Sequence, residues 1–220
     1  MSEMTETILE PLLRSPLLPR HMRRLEEALA DEARRRQGFI DKVIEDGKWE
    51  FINGEAVMQS PARWAHTQCT DRVTSLLLPY VRRRGLGAAG SEKVMVSLTR
   101  NDYEPDVCFF RAEKAGQFTP DQTRFPAPDL VVEVLSESTE AIDRGVKFED
   151  YAAHGVTEYW IIDPDAEAVE QYVLEGDEYK LRMKSGTGEL ASVAVDGFVI
   201  PVRALFDDAE HHTCLRRLVG

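Results

Sequence analysis

No run in the chain approaches the roughly 18 apolar residues that a membrane span requires. Its first residues, MSEMTETILEPLL, are acidic where a secretory leader is basic. Both absences point to a cytoplasmic protein without a membrane partner. Cysteine is scarce: Cys69, Cys108 and Cys214 are odd in number and far apart, which argues against a disulfide framework or a zinc knuckle. No Gly-rich phosphate loop, GxSxG elbow or HExxH motif occurs. That argues against P-loop nucleotide hydrolysis, α/β-hydrolase chemistry and zincin chemistry. Positive charge is also short, with 27 Lys and Arg against 39 Asp and Glu and a net charge of −12. Such a balance counts against a general, non-specific nucleic-acid binder. It is compatible with a nuclease whose acids gather at a metal while its basic residues cluster elsewhere, and with a plain solvated surface.

What is present is enough apolar residue, 43%, to build a core, and enough charge, 30%, to keep it in solution. The length of 220 residues suits one domain with an extra arm. The expected division is an arm and charged helix over 1–40, a main domain over 41–210 and a tail over 211–220. Residues 1–18 read as a loosely held arm. From Pro19 to Gln37 the pattern is helical and rich in arginine, with a thin apolar stripe of Leu25, Ala28, Leu29 and Ala33. Glu26, Glu27, Asp31 and Glu32 interleave with the arginines, so a solvated helix that packs on the body or on a partner chain is expected rather than a phosphate-binding one.

Lys48 to Met58 reads as a hairpin turning at Asn53-Gly54. Arg63 to Arg84 is helical, with Pro79 expected to kink it or end it. Gly85, Gly87 and Gly90 suggest a flexible turn. Strands are expected over 94–98 and 103–111, then a loop over 112–127. Pro128 to Pro164 reads as strand, helix, strand: an apolar run from Leu130 to Leu135, a helix from about Ser138 to His154 closed by Gly155, and a second run from Val156 to Asp163. A hairpin over 168–184 and a strand over 191–195 follow. Many strands with two main helices indicate an α+β or mixed α/β fold.

Two carboxylates stand out. Glu133 is the lone charge in its apolar strand, and burying it is costly unless a metal, a cation or hydrogen bonds compensate. Asp106 lies near the start of another strand. Carboxylates on neighbouring strands are what a divalent metal such as Mg²⁺ or Mn²⁺ needs, hard oxygens held rigidly with positions open to water and phosphate. Alternatively, Asp106 ends a turn after Pro105 and Glu133 pairs with a basic residue, or the two act as an acid–base pair without metal, as in a glycosidase. Lys147, on the intervening helix, could orient a metal-bound water or could be a surface lysine paired with Asp143 or Asp150. His66 could contact phosphate or cap its helix. His211, His212 and Cys214 resemble a metal cluster but read as a solvated tail.

These residues resemble a known family. Pro105-Asp106, then EVLS from Glu133, DRGVKFEDY from Asp143 and GVTEYWIIDP are similar to the Uma-two family of putative restriction endonucleases, within the PD-(D/E)XK nuclease superfamily. The likeness runs from about residue 48 to 206 and takes in INGEAVMQSPARWAH upstream and DGFVIPVRALF downstream. It implies a restriction-endonuclease-like core, a central mixed sheet flanked by helices, with Asp106 and Glu133 as metal ligands on adjacent strands. The superfamily lysine would fall two residues after Glu133, where this chain has Leu135. The resemblance implies that Lys147, from the following helix, takes its place, and Glu55 and His66 match the opening positions of the family's pattern, which makes them further catalytic candidates. The implied activity is Mg²⁺-dependent (or Mn²⁺-dependent) hydrolysis of DNA phosphodiesters, and because cutting both strands of a duplex is simplest with two single-site copies, a homodimer with the charged helix Pro19 to Gln37 as its contact arm is expected. The rival is a catalytically inactive nuclease-fold binding or scaffold protein.

Overall fold

The computed structural model describes residues 9–42 and 47–220; the first eight residues of the expected arm lie outside that range. The chain forms a mixed α+β structure around two sheets. Helix α1 (Leu18–Asp41) leads into a hairpin of β1 (Trp49–Ile52) and β2 (Glu55–Met58). Asn53 and Gly54 take φ of 48° and 89° at its turn, both positive as a type I′ turn needs. Helix α2 (Trp64–Arg84) follows, then β3 (Gly87–Ser91), β4 (Met95–Ser97), β5 (Asp102–Tyr103) and β6 (Val107–Arg111). After the short α3 (Ala112–Ala115) come β7 (Arg124–Phe125), β8 (Leu130–Val134), helices α4 (Glu140–Asp143) and α5 (Val146–Ala153), and β9 (Glu158–Asp163). The chain closes with β10 (Ala168–Glu175), β11 (Glu178–Ser185), β12 (Glu189–Ala191), β13 (Val199–Pro201) and α6 (Asp208–Val219).

The larger sheet has the order β11-β10-β9-β8-β6-β3, and the smaller β2-β1-β5-β4-β7. Within the larger sheet only β8 and β9 run parallel. Parallel neighbours need a crossover, and α4 and α5 supply it. Strand β8 is buried on both faces. Leu130, Val132 and Val134 join a core formed with Leu76, Leu77, Trp160 and the C-terminal helix, whereas Val131 and Leu135 join a second core with Tyr103, Tyr151 and Tyr159. Glu133 points to the second side, because alternate residues of a strand share a face.

The structure departs from the sequence expectations where glycine, proline or tertiary contact overrides local pattern. The helix expected from Ser138 to His154 breaks at Gly145, where a side chain would meet the Ala141 carbonyl at 2.7 Å. Gly155 does close it, at φ 72° with Val156 N–H donating to Tyr151 O. Pro79 neither ends nor splits α2, whose Leu76, Leu77, Tyr80 and Val81 are buried around it. The expected flexible turn at Gly87 and Gly90 is an edge strand against β6, and a Cβ at Gly87 would sit 2.0 Å from Phe110 O. The single strand expected over 103–111 is two, in different sheets: the chain leaves β5 at Glu104-Pro105 and enters β6 after Asp106. The strand expected at 191–195 ends at Ala191, because the next residues turn inward to donate three hydrogen bonds to Glu158 Oε2. The tail expected at 211–220 belongs to helix α6, capped by Asp207 accepting from Glu210 N–H at 2.9 Å. His211 there is bonded to Ala204 O and Ser75 Oγ, so it forms no metal cluster with Cys214.

Helix α1 is fixed to the body by arginines. Arg36 holds Asp102 at 2.6 and 2.9 Å and donates to three backbone carbonyls, and Arg100 reaches back to Glu32 with two bonds of 2.9 and 2.7 Å.

Candidate active site

The antiparallel pairing of β6 with β8 sets Val107 opposite Val132, so continuing the register puts Asp106 opposite Glu133. The two acids are joined through the backbone. Asp106 N–H donates to Glu133 Oε2 at 3.4 Å, and Val134 N–H donates to Asp106 Oδ2 at 2.8 Å. Both are buried, at the base of a cleft of about 530 Å³ that is also lined by Lys48, His66, Asp143 and Lys147.

Lys147 reaches this cleft because the break at Gly145 starts α5 afresh one residue before it. Its ammonium is 1% exposed and lies 3.0 Å from Glu133 Oε1, 3.0 Å from Glu50 Oε1 and 3.2 Å from Asp143 Oδ1. Asp143 Oδ1 accepts no hydrogen bond of good geometry despite that proximity. Tyr151 adds a bond to Glu133 Oε1 at 3.2 Å. On the other side, Lys48 donates to Asp106 Oδ1 at 2.6 Å, and His66 Nε2 lies 3.1 Å from Asp106 Oδ2. His66 Nδ1 is buried with no partner among the described residues.

The electrostatics separate the two acids. Burial raises the Asp106 carboxyl, but the His66 hydrogen bond and the Lys48 charge outweigh it and hold the group well below the usual range. Burial pushes Glu133 up to about 8, and the charges of Asp143 and Asp106 add to this against the opposing Lys147. Lys147 offsets the burial only in part, because its one ammonium serves three carboxylates. The same three acids raise Lys147 well above the ordinary lysine value despite its burial.

The structure brings together Asp106, Glu133, Lys147 and His66. It does not bring Glu55, which is exposed at the start of β2 and absent from the cleft's lining. The hairpin region contributes Lys48 to the cleft and Glu50 to the Lys147 network behind it, two residues outside the sequence expectations. Their signal was alternation: Trp49, Phe51 and Ile52 are apolar, so a buried strand carrying Glu50 presents the same anomaly as Glu133 in β8.

Four carboxyl groups (Asp106, Glu133, Glu50 and Asp143) thus face two ammonium groups, an excess of acids that is met in part by Glu133 holding its proton up to about 8. Among the described residues no three His, Cys, Asp or Glu groups stand ready as a metal cage. A hard divalent cation that takes one or two carboxylates and keeps several waters matches both the donors and the excess of acids.

A mixed sheet with paired acids on adjacent central strands and a helix-borne lysine defines a restriction-endonuclease-like architecture. The chain belongs to the Uma2 family, described as putative restriction endonuclease, whose pattern matches residues 39–203. An uncharacterized protein of Synechocystis sp. is 31% identical over 119 residues, covering 52% of this chain and 60% of that protein. This chain therefore matches about three fifths of that relative's length. Among solved structures, a putative nuclease belonging to DUF820 from Anabaena variabilis shares the fold, with a TM-score of 0.63 and 17% identity, covering 76% of this chain and 90% of the other. Among the described residues no helix is long and apolar enough to cross a membrane.

Proposed function

We propose that the protein is a divalent-cation-dependent endonuclease that hydrolyses DNA phosphodiesters in the cytoplasm. The observation that carries this reading is the register-matched pair Asp106 and Glu133, joined through Val134 N–H and the Asp106 N–H at the base of an acidic cleft. Asp106 and Glu133, with the Val134 carbonyl, would hold Mg²⁺ or Mn²⁺. The bound ion would supply Lewis-acid stabilisation of charge on the phosphate and the leaving oxygen.

The chain's own groups divide the remaining work. Lys147 is enclosed by three carboxylates, so its role is to hold Glu133 and Glu50 in place, and it is a positioning residue. Lys48 keeps 16% of its side chain exposed at the cleft and is the cation able to meet a phosphate oxygen. His66, tethered to Asp106 through Nε2 at 3.1 Å, holds that carboxylate in place at the cleft and leaves its buried Nδ1 unpartnered among the described residues. Three buried free cysteines accord with a reducing compartment.

The homodimer reading rests on α1. Met22, Leu25 and Leu29 are exposed along one stripe of that helix, flanked by charges of both signs. Two single-site copies related by a two-fold axis would address both strands of a duplex.

Incubating the purified protein with plasmid DNA tests the activity. Nicking or linearisation with Mg²⁺ or Mn²⁺, absent in EDTA and in Asp106→Asn, is expected. A second reading, a nuclease-fold binding protein without turnover, is favoured by one observation: Lys48 already neutralises Asp106 at 2.6 Å. DNA binding without cleavage at any cation concentration would select it.

A further inference from the structure

Strand β1 is the wall between the acidic cleft and a second, larger cavity of about 1090 Å³. Side chains alternate along it. Lys48, just before the strand, lines the cleft and Glu50 reaches the Lys147 ammonium behind it, while Trp49 and Phe51 line the second cavity, and Gly47 borders both spaces. Phe39 and Phe125 complete the aromatic walls, and Lys93 and Arg124 add positive charge. The Lys93 ammonium bonds the carbonyl of Gly47, at the border itself.

One polar group in this apolar space is unsatisfied. Glu104 is 6% exposed, and its Oε2 has no hydrogen-bond partner among the described residues. A buried acceptor left unpaired is costly, so the position calls for a donor. The same residue's backbone N–H donates to Glu50 Oε1 at 3.0 Å, tying the second cavity to the Lys147 network.

A flat aromatic ring carrying an amino N–H and flanked by phosphate satisfies every part of this environment. Nucleobases stack on aromatic side chains. An exocyclic amine can donate to a buried carboxylate, as cytosine N4 does to glutamate. Basic residues at the wall meet the neighbouring phosphates.

We propose that this cavity binds an unpaired nucleotide of the nucleic-acid substrate, its base among Trp49, Phe39 and Phe125 and its amino edge on Glu104. The proposal rests on reading the adjacent cleft as a phosphodiesterase site, and it names the substrate class: a strand with an unstacked base beside the phosphate to be cut, bearing an amino group in preference to thymine.

The test uses the full chain in EDTA, where no cleavage occurs, and fluorescence anisotropy of labelled single strands of equal length. One strand is oligocytidine, one oligothymidine, and one an abasic backbone with the same phosphates. Oligocytidine is expected to bind roughly tenfold more tightly than the abasic strand, the scale of one stacked base. Trp49→Ala should remove that difference while leaving abasic binding unchanged. Ala56→Trp is the second variant, since Ala56 is exposed, pairs with Phe51 across the hairpin and lines the cavity, so it fills the space without removing a core residue. Glu104→Gln should reduce the preference for cytosine over thymine. Equal binding of base-bearing and abasic strands, or a base preference that survives a folded Ala56→Trp, overturns the proposal. Metal-dependent cleavage without base preference would defeat the cavity reading alone. Base preference without cleavage would defeat the cleft reading alone.

Discussion

The ammonium of Lys147 lies 3.0 Å from Glu133 Oε1, both groups being almost wholly removed from solvent. Replacing Lys147 with Met keeps much of the stem but leaves Glu133, Glu50 and Asp143 without their shared counter-charge. Breaking a buried pair in this way costs about 3–5 kcal/mol. Urea unfolding should show a midpoint lowered accordingly, along with loss of any cleavage. A midpoint like the parent's would mean that the three acids do not depend on this lysine.

Glu133→Gln should act in the opposite sense on stability. In the folded state burial pushes Glu133 up to about 8, against the ordinary glutamate value of 4.5. Between those values the folded protein retains a proton that the unfolded chain has released, so stability falls as pH rises from about 4.5 to 8. The glutamine variant lacks this slope. Its melting temperature should match the parent's near pH 5 and exceed it increasingly toward pH 8.5 in EDTA, while cleavage is abolished. Adding Mg²⁺ or Mn²⁺ should raise the parent's melting temperature at the upper pH and leave the variant unmoved. A gap that shrinks with rising pH would contradict the assigned direction.

Lys48 and a divalent cation would compete for the same carboxylate. The ammonium sits 2.6 Å from Asp106 Oδ1, so Lys48→Met should tighten Mn²⁺ binding in isothermal titration, by roughly tenfold for the removal of one neighbouring charge. Turnover should fall at the same time. Unchanged or weaker Mn²⁺ affinity would place the ion elsewhere.

The homodimer reading fixes a mass. Light scattering at micromolar concentration should give twice 24.9 kDa, and the double change Leu25→Glu with Leu29→Glu should halve it without loss of helicity. A parent already at monomer mass would remove α1 from this role.

Much of this architecture was legible because β8 and β9 are runs of apolar residues bounded by turn signals, and because Gly155 and Asn53-Gly54 occupy the positive-φ positions their turns require. Glu133 was visible as an exception to its own strand. The cleft was only half legible. Asp143 stands four residues before Lys147, a spacing that also describes an ordinary surface pair, and only the break at Gly145 and the packing of α5 turn it inward. Glu55 and Glu50 lie in the same hairpin. The two share a face of that hairpin, but Glu55 sits on the edge strand β2 and Glu50 on β1, beside β5; that placement rests on a contact between Phe51 and Asp102 about 50 positions apart, which no local pattern encodes. The strand end at Ala191 likewise follows from Glu158, whose buried carboxylate draws the next backbone amides around itself.

Lys48, one residue before β1, and Glu50, within it, arrive together, one charge of each sign. As a pair they are electrically neutral, so their docking leaves the cleft's charge balance unchanged, whereas either residue altered alone shifts that balance by one. Substitutions at the two positions should therefore be epistatic: a variant neutral at both sites would be tolerated better than the sum of its single changes, and drift at one would favour compensating drift at the other.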